Sequence, residues 1–151
     1  MGQWWIDEPA FLGSSNPTAE ELKKLFQLGF RTIISLLDED EQRPYYGGNE
    51  VQAMGFDRVS IPVRDLTAPT HQQFMEFLKV IDTALKKGKV VMHCQAGLGR
   101  TGAMAAAYWI NKGFSVGEAL KKVRVSNPAA VEDPEQEKSL YCLEAILKCK
   151  T

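Results

Sequence analysis
Five residues separate Cys94 from Arg100 in the run His93-Cys94-Gln95-Ala96-Gly97-Leu98-Gly99-Arg100-Thr101-Gly102. A cysteine attacks an electrophile as its thiolate, and helix N-termini or cationic neighbours bring a cysteine pKa from about 8.5 to roughly 3.5–7.5. Gly97 and Gly99 let so short a segment curl with successive backbone N–H groups pointing inward, which makes a nest for an anion. A helix opening at Arg100 adds the positive end of its dipole at the same point. Arg100 cannot act as a base, because a guanidinium stays protonated. Its planar fork suits two oxygens of one phosphoryl group, and the Thr101 hydroxyl can donate to the sulfur. The chemistry this spacing supports is attack by a thiolate on a bound oxyanion.

The ordinary role of a cysteine at the end of a buried strand is that of a small core residue. That role is expected of Cys142 and Cys149, seven positions apart in one helical stretch. It does not account for Cys94, because two glycines, Arg100 and Thr101 all stand where an anion site needs them. Gly97-Leu98-Gly99-Arg100-Thr101-Gly102 also matches G-x-G-x-x-G. A dinucleotide fold would follow that pattern with a strand ending in an acid about 20 residues on, whereas residues 116–125 read as a helix. The Gly-Lys-Ser/Thr of nucleotide-hydrolase loops does not occur in the chain.

Such a loop needs a strand ending at Cys94 and a helix beginning at Arg100. Lys89-Val90-Val91-Met92-His93 is a short apolar run of the kind buried at the centre of a parallel sheet. Residues 101–112 are alanine-rich and closed by Gly113, as a helix would be. Upstream, Thr18 and Glu21 offer a capping box for a helix that stops at Gly29. Residues 31–37 follow as a buried strand with β-branched side chains, and residues 56–63 as a second strand of alternating polarity. Residues 38–48, including the acidic run Asp38 to Glu41, read as a solvated loop, with a short helix over 49–54. Thr70 and Gln73 open an amphipathic helix carrying Phe74, Phe77, Leu78, Ile81 and Leu85 on one face. Ser115 caps a further helix to Val125, and a last helix covers 134–148. Strands alternate with helices up to Cys94, and only helices follow. The expected fold is α/β, with a central, mostly parallel sheet flanked by helices and a helical C-terminal part. The chain length of 151 residues suits one domain, 1–151.

In that setting His93-Cys94-x5-Arg100-Thr101-Gly102 resembles the signature of the protein tyrosine phosphatase superfamily. Its Gly-Leu-Gly-Arg-Thr-Gly part is similar to that of the small dual-specificity phosphatases, and the likeness covers most of the chain. Low-molecular-weight tyrosine phosphatases carry the cysteine near the N-terminus with the acid after it, and rhodanese-type domains lack an upstream acid. The resemblance implies a phosphocysteine intermediate on Cys94, formed without metal or cofactor. Gln95, Ala96, Gly97, Leu98, Gly99 and Arg100 would cradle the phosphate, Thr101 would donate to the sulfur, and His93 would support the loop. Departure of an alkoxide or phenolate needs a proton. Asp65, 29 residues before Cys94 and followed by Pro69, is similar to the family's general acid, with Asp57 a rival only in another register. Many members have Pro before that Asp where this chain has Arg64, a cation that favours the carboxylate form. Gln136 in Glu135-Gln136-Glu137 resembles the glutamine that positions hydrolytic water. The Arg-Pro-Gly common before that segment is Asn127-Pro128-Ala129 here.

The implied substrate is a phosphorylated protein or peptide, with phosphotyrosine first and phosphoserine or phosphothreonine as additions. Inositide phosphatases of the superfamily usually carry lysines in the loop, so uncharged Gln95, Ala96 and Leu98 argue against a phosphoinositide. A phosphate-binding pseudophosphatase is the other alternative, and the joint presence of Cys94, Arg100 and Asp65 argues against it. Tyr45-Tyr46-Gly47-Gly48 reads equally as a substrate-touching loop and as a surface turn. A net charge of -1 gives no electrostatic case for a nucleic-acid or membrane partner. No apolar stretch reaches spanning length, and the first residues lack the basic flank and apolar run of a signal peptide. Three cysteines without C-x-x-C spacing, with His71 and His93 far apart, suit neither a disulfide framework nor a metal cluster. A monomer in the reducing cytoplasm is expected.

Overall fold
The computed structural model describes residues 2–42, 45–64 and 67–149. Among these residues, five strands form one mixed sheet: β1 (Gln3–Asp7), β2 (Phe11–Ser14), β3 (Phe30–Ser35), β4 (Asp57–Ser60) and β5 (Lys89–His93), in the order β1-β2-β5-β3-β4. β2, β5, β3 and β4 run parallel, and only β1 is antiparallel, against β2. The run that ends at Cys94 is therefore the middle strand, paired on both sides.

Side chains alternate across a strand, and here they divide the core in two. Phe11, Ile34, Val90 and Met92 enter one hydrophobic cluster, while Leu12, Ile33 and Val91 enter the other. The larger cluster is closed by α4 (His71–Lys87), α5 (Gly99–Asn111), α6 (Val116–Ser126) and α7 (Pro134–Cys149). The smaller is closed by α1 (Ala19–Gln27) and α3 (Gly48–Met54), and α2 (Glu39–Gln42) is a single turn after β3. Three helices begin at the caps read from the sequence. Thr18, Thr70 and Ser115 each accept from the backbone N–H three residues on, and Glu21, Gln73 and Glu118 reach back. Most of α5 is buried, and its alanines let it lie close against the sheet and α6.

The hairpin β1–β2 is a departure from expectation. β2 is only Phe-Leu-Gly-Ser, and adjacent Trp4 and Trp5 blur the alternation of β1. β2 is held extended by pairing with β5, about 80 residues away in sequence, and β1 by pairing with β2, so no local pattern announces the hairpin. The expected strands over 31–37 and 56–63 are shorter in the structure, ending at Ser35 and Ser60. Leu36, Leu37, Ile61 and Val63 are still buried, as the walls of the segments that leave the sheet.

Phe77 is fully buried and stacks on Phe11, with ring centroids 6.2 Å apart. Phe77→Ala should lower the unfolding free energy by roughly 3–5 kcal/mol. In urea titration this should appear as a reduced midpoint with an unchanged slope.

Candidate active site
β5 carries His93 and Cys94 to the C-terminal edge of the parallel strands, the edge where open α/β sheets take their ligands. Chain leaving the neighbouring strands closes around them by backbone hydrogen bonds: Asn16 N–H to Gln95 O, Leu36 N–H to His93 O and Val63 N–H to Leu36 O, each 3.0 Å. Cys94 is almost wholly buried. Its sulfur accepts from Thr101 Oγ1 at 3.0 Å and from Gly97 N–H at 3.3 Å, so both donors can hold negative charge on sulfur. Gly97 adopts a left-handed φ of 79°, and a Cβ there would lie 2.7 Å from Ser15 N, so only glycine fits. Cys94, Ala96, Gly99, Arg100 and Gln136 line a cleft of about 350 Å³.

Arg100 is 4% exposed. Its Nη1 and Nη2 donate to Glu41 Oε1 and Oε2, both at 3.1 Å, and Nη1 also donates to Val63 O at 3.0 Å. Glu41 thus corrects the expectation of a solvated acidic run over Asp38 to Glu41. The run folds as the turn α2, with Asp38 Oδ1 accepting from Glu41 N–H at 2.9 Å. The available sign was physical rather than local, because an arginine buried at an anion site needs a carboxylate partner. Glu132 and Asp133, which the sequence reading did not single out, also line the cleft.

Gln136 is buried, and its amide lies over the loop: a Cβ on Gly99 would stand 3.1 Å from Nε2. Nε2 also donates to Thr67 O at 3.4 Å. Asp65 lies outside the described residues. Val63 and Thr67 on either side of it are bonded to Arg100 and Gln136. The side chain of Gln95 accepts from Asn16 Nδ2 at 3.3 Å and donates to Tyr45 Oη at 3.2 Å. Leu98 is partly exposed at the rim. Cys142 and Cys149 are exposed on α7, not packed in the core as expected. The inward face of that helix is taken by Gln136, Leu140 and Leu143, and seven-residue spacing keeps both cysteines off it.

His93 is buried behind the loop, 2.6 Å through Nε2 from Tyr46 Oη. Tyr46 is itself buried, so its part of the Tyr45–Gly48 stretch is no surface turn. Arg58 Nε donates to the same hydroxyl at 3.3 Å. The hydroxyl thus stands between the Arg58 guanidinium and the imidazole. Burial, reinforced by the positive charge of Arg58, lowers the His93 pKa from 6.5 to about 3. His93 is neutral wherever the protein would work.

Strand, curled loop and helix around a buried thiol and guanidinium put this protein in the class of cysteine-based phosphatases. A family model described as "Polymorphic toxin system, DSP-PTPase phosphatase" matches residues 10–114, and the chain belongs to that family. Tyrosine-protein phosphatase cdc-14 of Caenorhabditis elegans is 35% identical over 102 residues, which are 64% of this chain and 14% of that protein. Dual specificity protein phosphatase TpbA of Pseudomonas aeruginosa is 31% identical over 108 residues, 68% of this chain and 44% of TpbA. The chain thus spans less than half the length of either of these curated relatives. A crystal structure of Tk-PTP in the active form superimposes with a TM-score of 0.86 at 33% identity, covering 93% of this chain and 95% of that one. Among the described residues no helix is long and apolar enough to cross a membrane, and no cluster of His, Cys, Asp or Glu is arranged to hold a metal ion.

The lowered His93 pKa has a definite sign. Between pH 6.5 and about 3 the unfolded chain binds a proton at this residue that the folded chain does not. The corresponding stability is fully present above pH 6.5 and is lost as pH falls toward 3. NMR of the imidazole should show no titration midpoint between pH 5 and 8. Denaturation midpoints should fall less steeply with acid in His93→Asn than in the wild type.

Proposed function
We propose that the chain, acting as one catalytic domain, is a metal-independent protein phosphatase that removes phosphate from phosphotyrosine, and also from phosphoserine or phosphothreonine. The observation that carries this reading is a buried thiol receiving two hydrogen bonds in a loop that also begins a helix with a buried arginine. The Cys94 thiolate attacks phosphorus in line, with the loop N–H groups and Arg100 holding the other oxygens. As the S–P bond forms, the bond from phosphorus to the substrate oxygen breaks, and that oxygen takes the proton of Asp65. The Asp65 carboxylate then accepts a proton from water oriented by Gln136. The water oxygen bonds to phosphorus, the S–P bond breaks, and the thiolate is restored with release of inorganic phosphate.

The ties of Val63 to Arg100 and of Thr67 to Gln136 support this role for Asp65, since they hold both of its flanks at the site. Glu41 orients Arg100 in the resting site. Phosphorylated proteins or peptides are the substrates of this reading, and a monomer in a reducing cytoplasm is its setting. Cys94, Cys142 and Cys149 are all free thiols, which fits such a compartment.

Cys94→Ser should abolish hydrolysis of para-nitrophenyl phosphate while still binding tungstate, and EDTA should leave the wild-type rate unchanged. Retained turnover in Cys94→Ser would remove the assignment. Asp65→Asn should slow release from a phosphotyrosyl peptide by about 10²–10⁴-fold, far more than from para-nitrophenyl phosphate, whose leaving group needs little protonation. An equal effect on both substrates would move the acid to another residue.

A further inference from the structure
We propose that Trp4 and Asn127 are positioning residues for the phosphoryl site, acting together as a clamp on one peptide of the loop. The inference rests on the phosphatase reading above. Trp4 Nε1 donates to Gly97 O at 2.9 Å, and Asn127 Nδ2 donates to the same oxygen at 3.3 Å, both in buried surroundings. A trans peptide is planar, with its C=O and N–H pointing in opposite directions. Holding the Gly97 carbonyl toward β1 and the end of α6 therefore sends the Leu98 N–H the other way, toward the anion. On its other side, the Gly97 N–H is already committed to the Cys94 sulfur.

An outside restraint is needed because glycine itself has little preference. The left-handed conformation of Gly97 is one of several it can adopt at small cost. Turned over, the Gly97–Leu98 peptide would point a carbonyl oxygen at the phosphoryl oxygens and withdraw one N–H from them. It would also leave two buried donors without their acceptor. A side chain at 97 cannot supply the restraint, since a Cβ there meets the backbone of Ser14 and Ser15 at 2.7–2.9 Å.

Gly13 completes the device. It faces Trp4 across β1 and β2, and a Cβ on it would stand 2.8 Å from the indole Cε2 and 3.1 Å from Nε1. Only glycine at that position lets the ring lie flat over β2 and reach Gly97. Trp4 and Asn127 come from opposite ends of the chain, and both lie outside the residues 10–114 matched by the family model. Asn127 occupies the place where the resembled family commonly carries arginine, so an amide aimed at the loop carbonyl replaces a charge there.

Three variants test the clamp. Trp4→Phe keeps most of the ring and removes the N–H. Asn127→Asp turns the donor into an acceptor facing the carbonyl, and Gly13→Ala displaces the indole. Each should weaken tungstate binding, measured by calorimetry, and lower kcat/KM for para-nitrophenyl phosphate by about tenfold, the effect of one lost hydrogen bond. The Leu98 amide resonance should move on tungstate binding in the wild type and respond less in each variant. Far-UV circular dichroism should match the wild type in at least Asn127→Asp, which changes no volume. Folded variants that bind tungstate and turn over as the wild type does would overturn the clamp and leave the phosphatase reading standing. A wild type that neither binds tungstate nor hydrolyses the ester would overturn both.

Discussion

A guanidinium buried to the depth of Arg100 cannot be left without acceptors, since an uncompensated buried charge is among the most destabilising features a fold can contain. Its acceptors come from chain far away in sequence. Glu41 lies 59 positions upstream and the Val63 carbonyl 37 positions upstream. Satisfying one side chain therefore joins the turn after β3, the segment after β4 and the first turn of α5. Because Glu41 already balances the arginine, the remaining positive potential at the cleft comes from oriented backbone N–H groups and the helix end. Those groups need no counter-charge of their own. On the proposed function, a phosphoryl group would enter and leave while the ion pair behind it persists.

Behind the loop the problem is the reverse: a titratable group must stay neutral. His93 ends the middle strand, and protonating it would put a third positive charge beside those of Arg58 and Arg100 with little solvent to screen it. The fold avoids this through desolvation, and it keeps the ring oriented through the Tyr46 hydroxyl. Tyr46 also belongs to the smaller core cluster, so the packing of α1 and α3 bears on the residue next to the thiol. Stability and site geometry are coupled here through ordinary core burial rather than through any residue of the chemistry.

Much of the architecture was legible because it is set locally. The helix starts at Thr18 and Thr70 follow from a hydroxyl and a carboxylate or amide three residues apart, and that at Ser115 from its capping hydroxyl, and each formed as read. The buried character of β5 follows from an unbroken apolar run, and α5 from its alanines. The hairpin β1–β2 was not legible, because four residues gain extended structure only when β5 is beside them. Glu41 read as solvated for the same kind of reason, since nothing near Asp38 to Glu41 reveals an arginine waiting across the sheet. Cys142 and Cys149 were misread because residue type suggested burial, whereas the phase of α7 decided exposure.

By itself the sequence determined the strand-to-helix turn, the five-residue gap from Cys94 to Arg100, and the glycines that let the turn curl. Those are short-range properties of covalent geometry and backbone freedom. Which way the curled peptides face, which carboxylate holds the arginine and whether His93 carries a proton were decided only by the tertiary structure. Each depends on groups brought within 4 Å from positions 30 to 93 residues away, where hydrogen-bond direction and loss of solvent, rather than local preference, set the outcome.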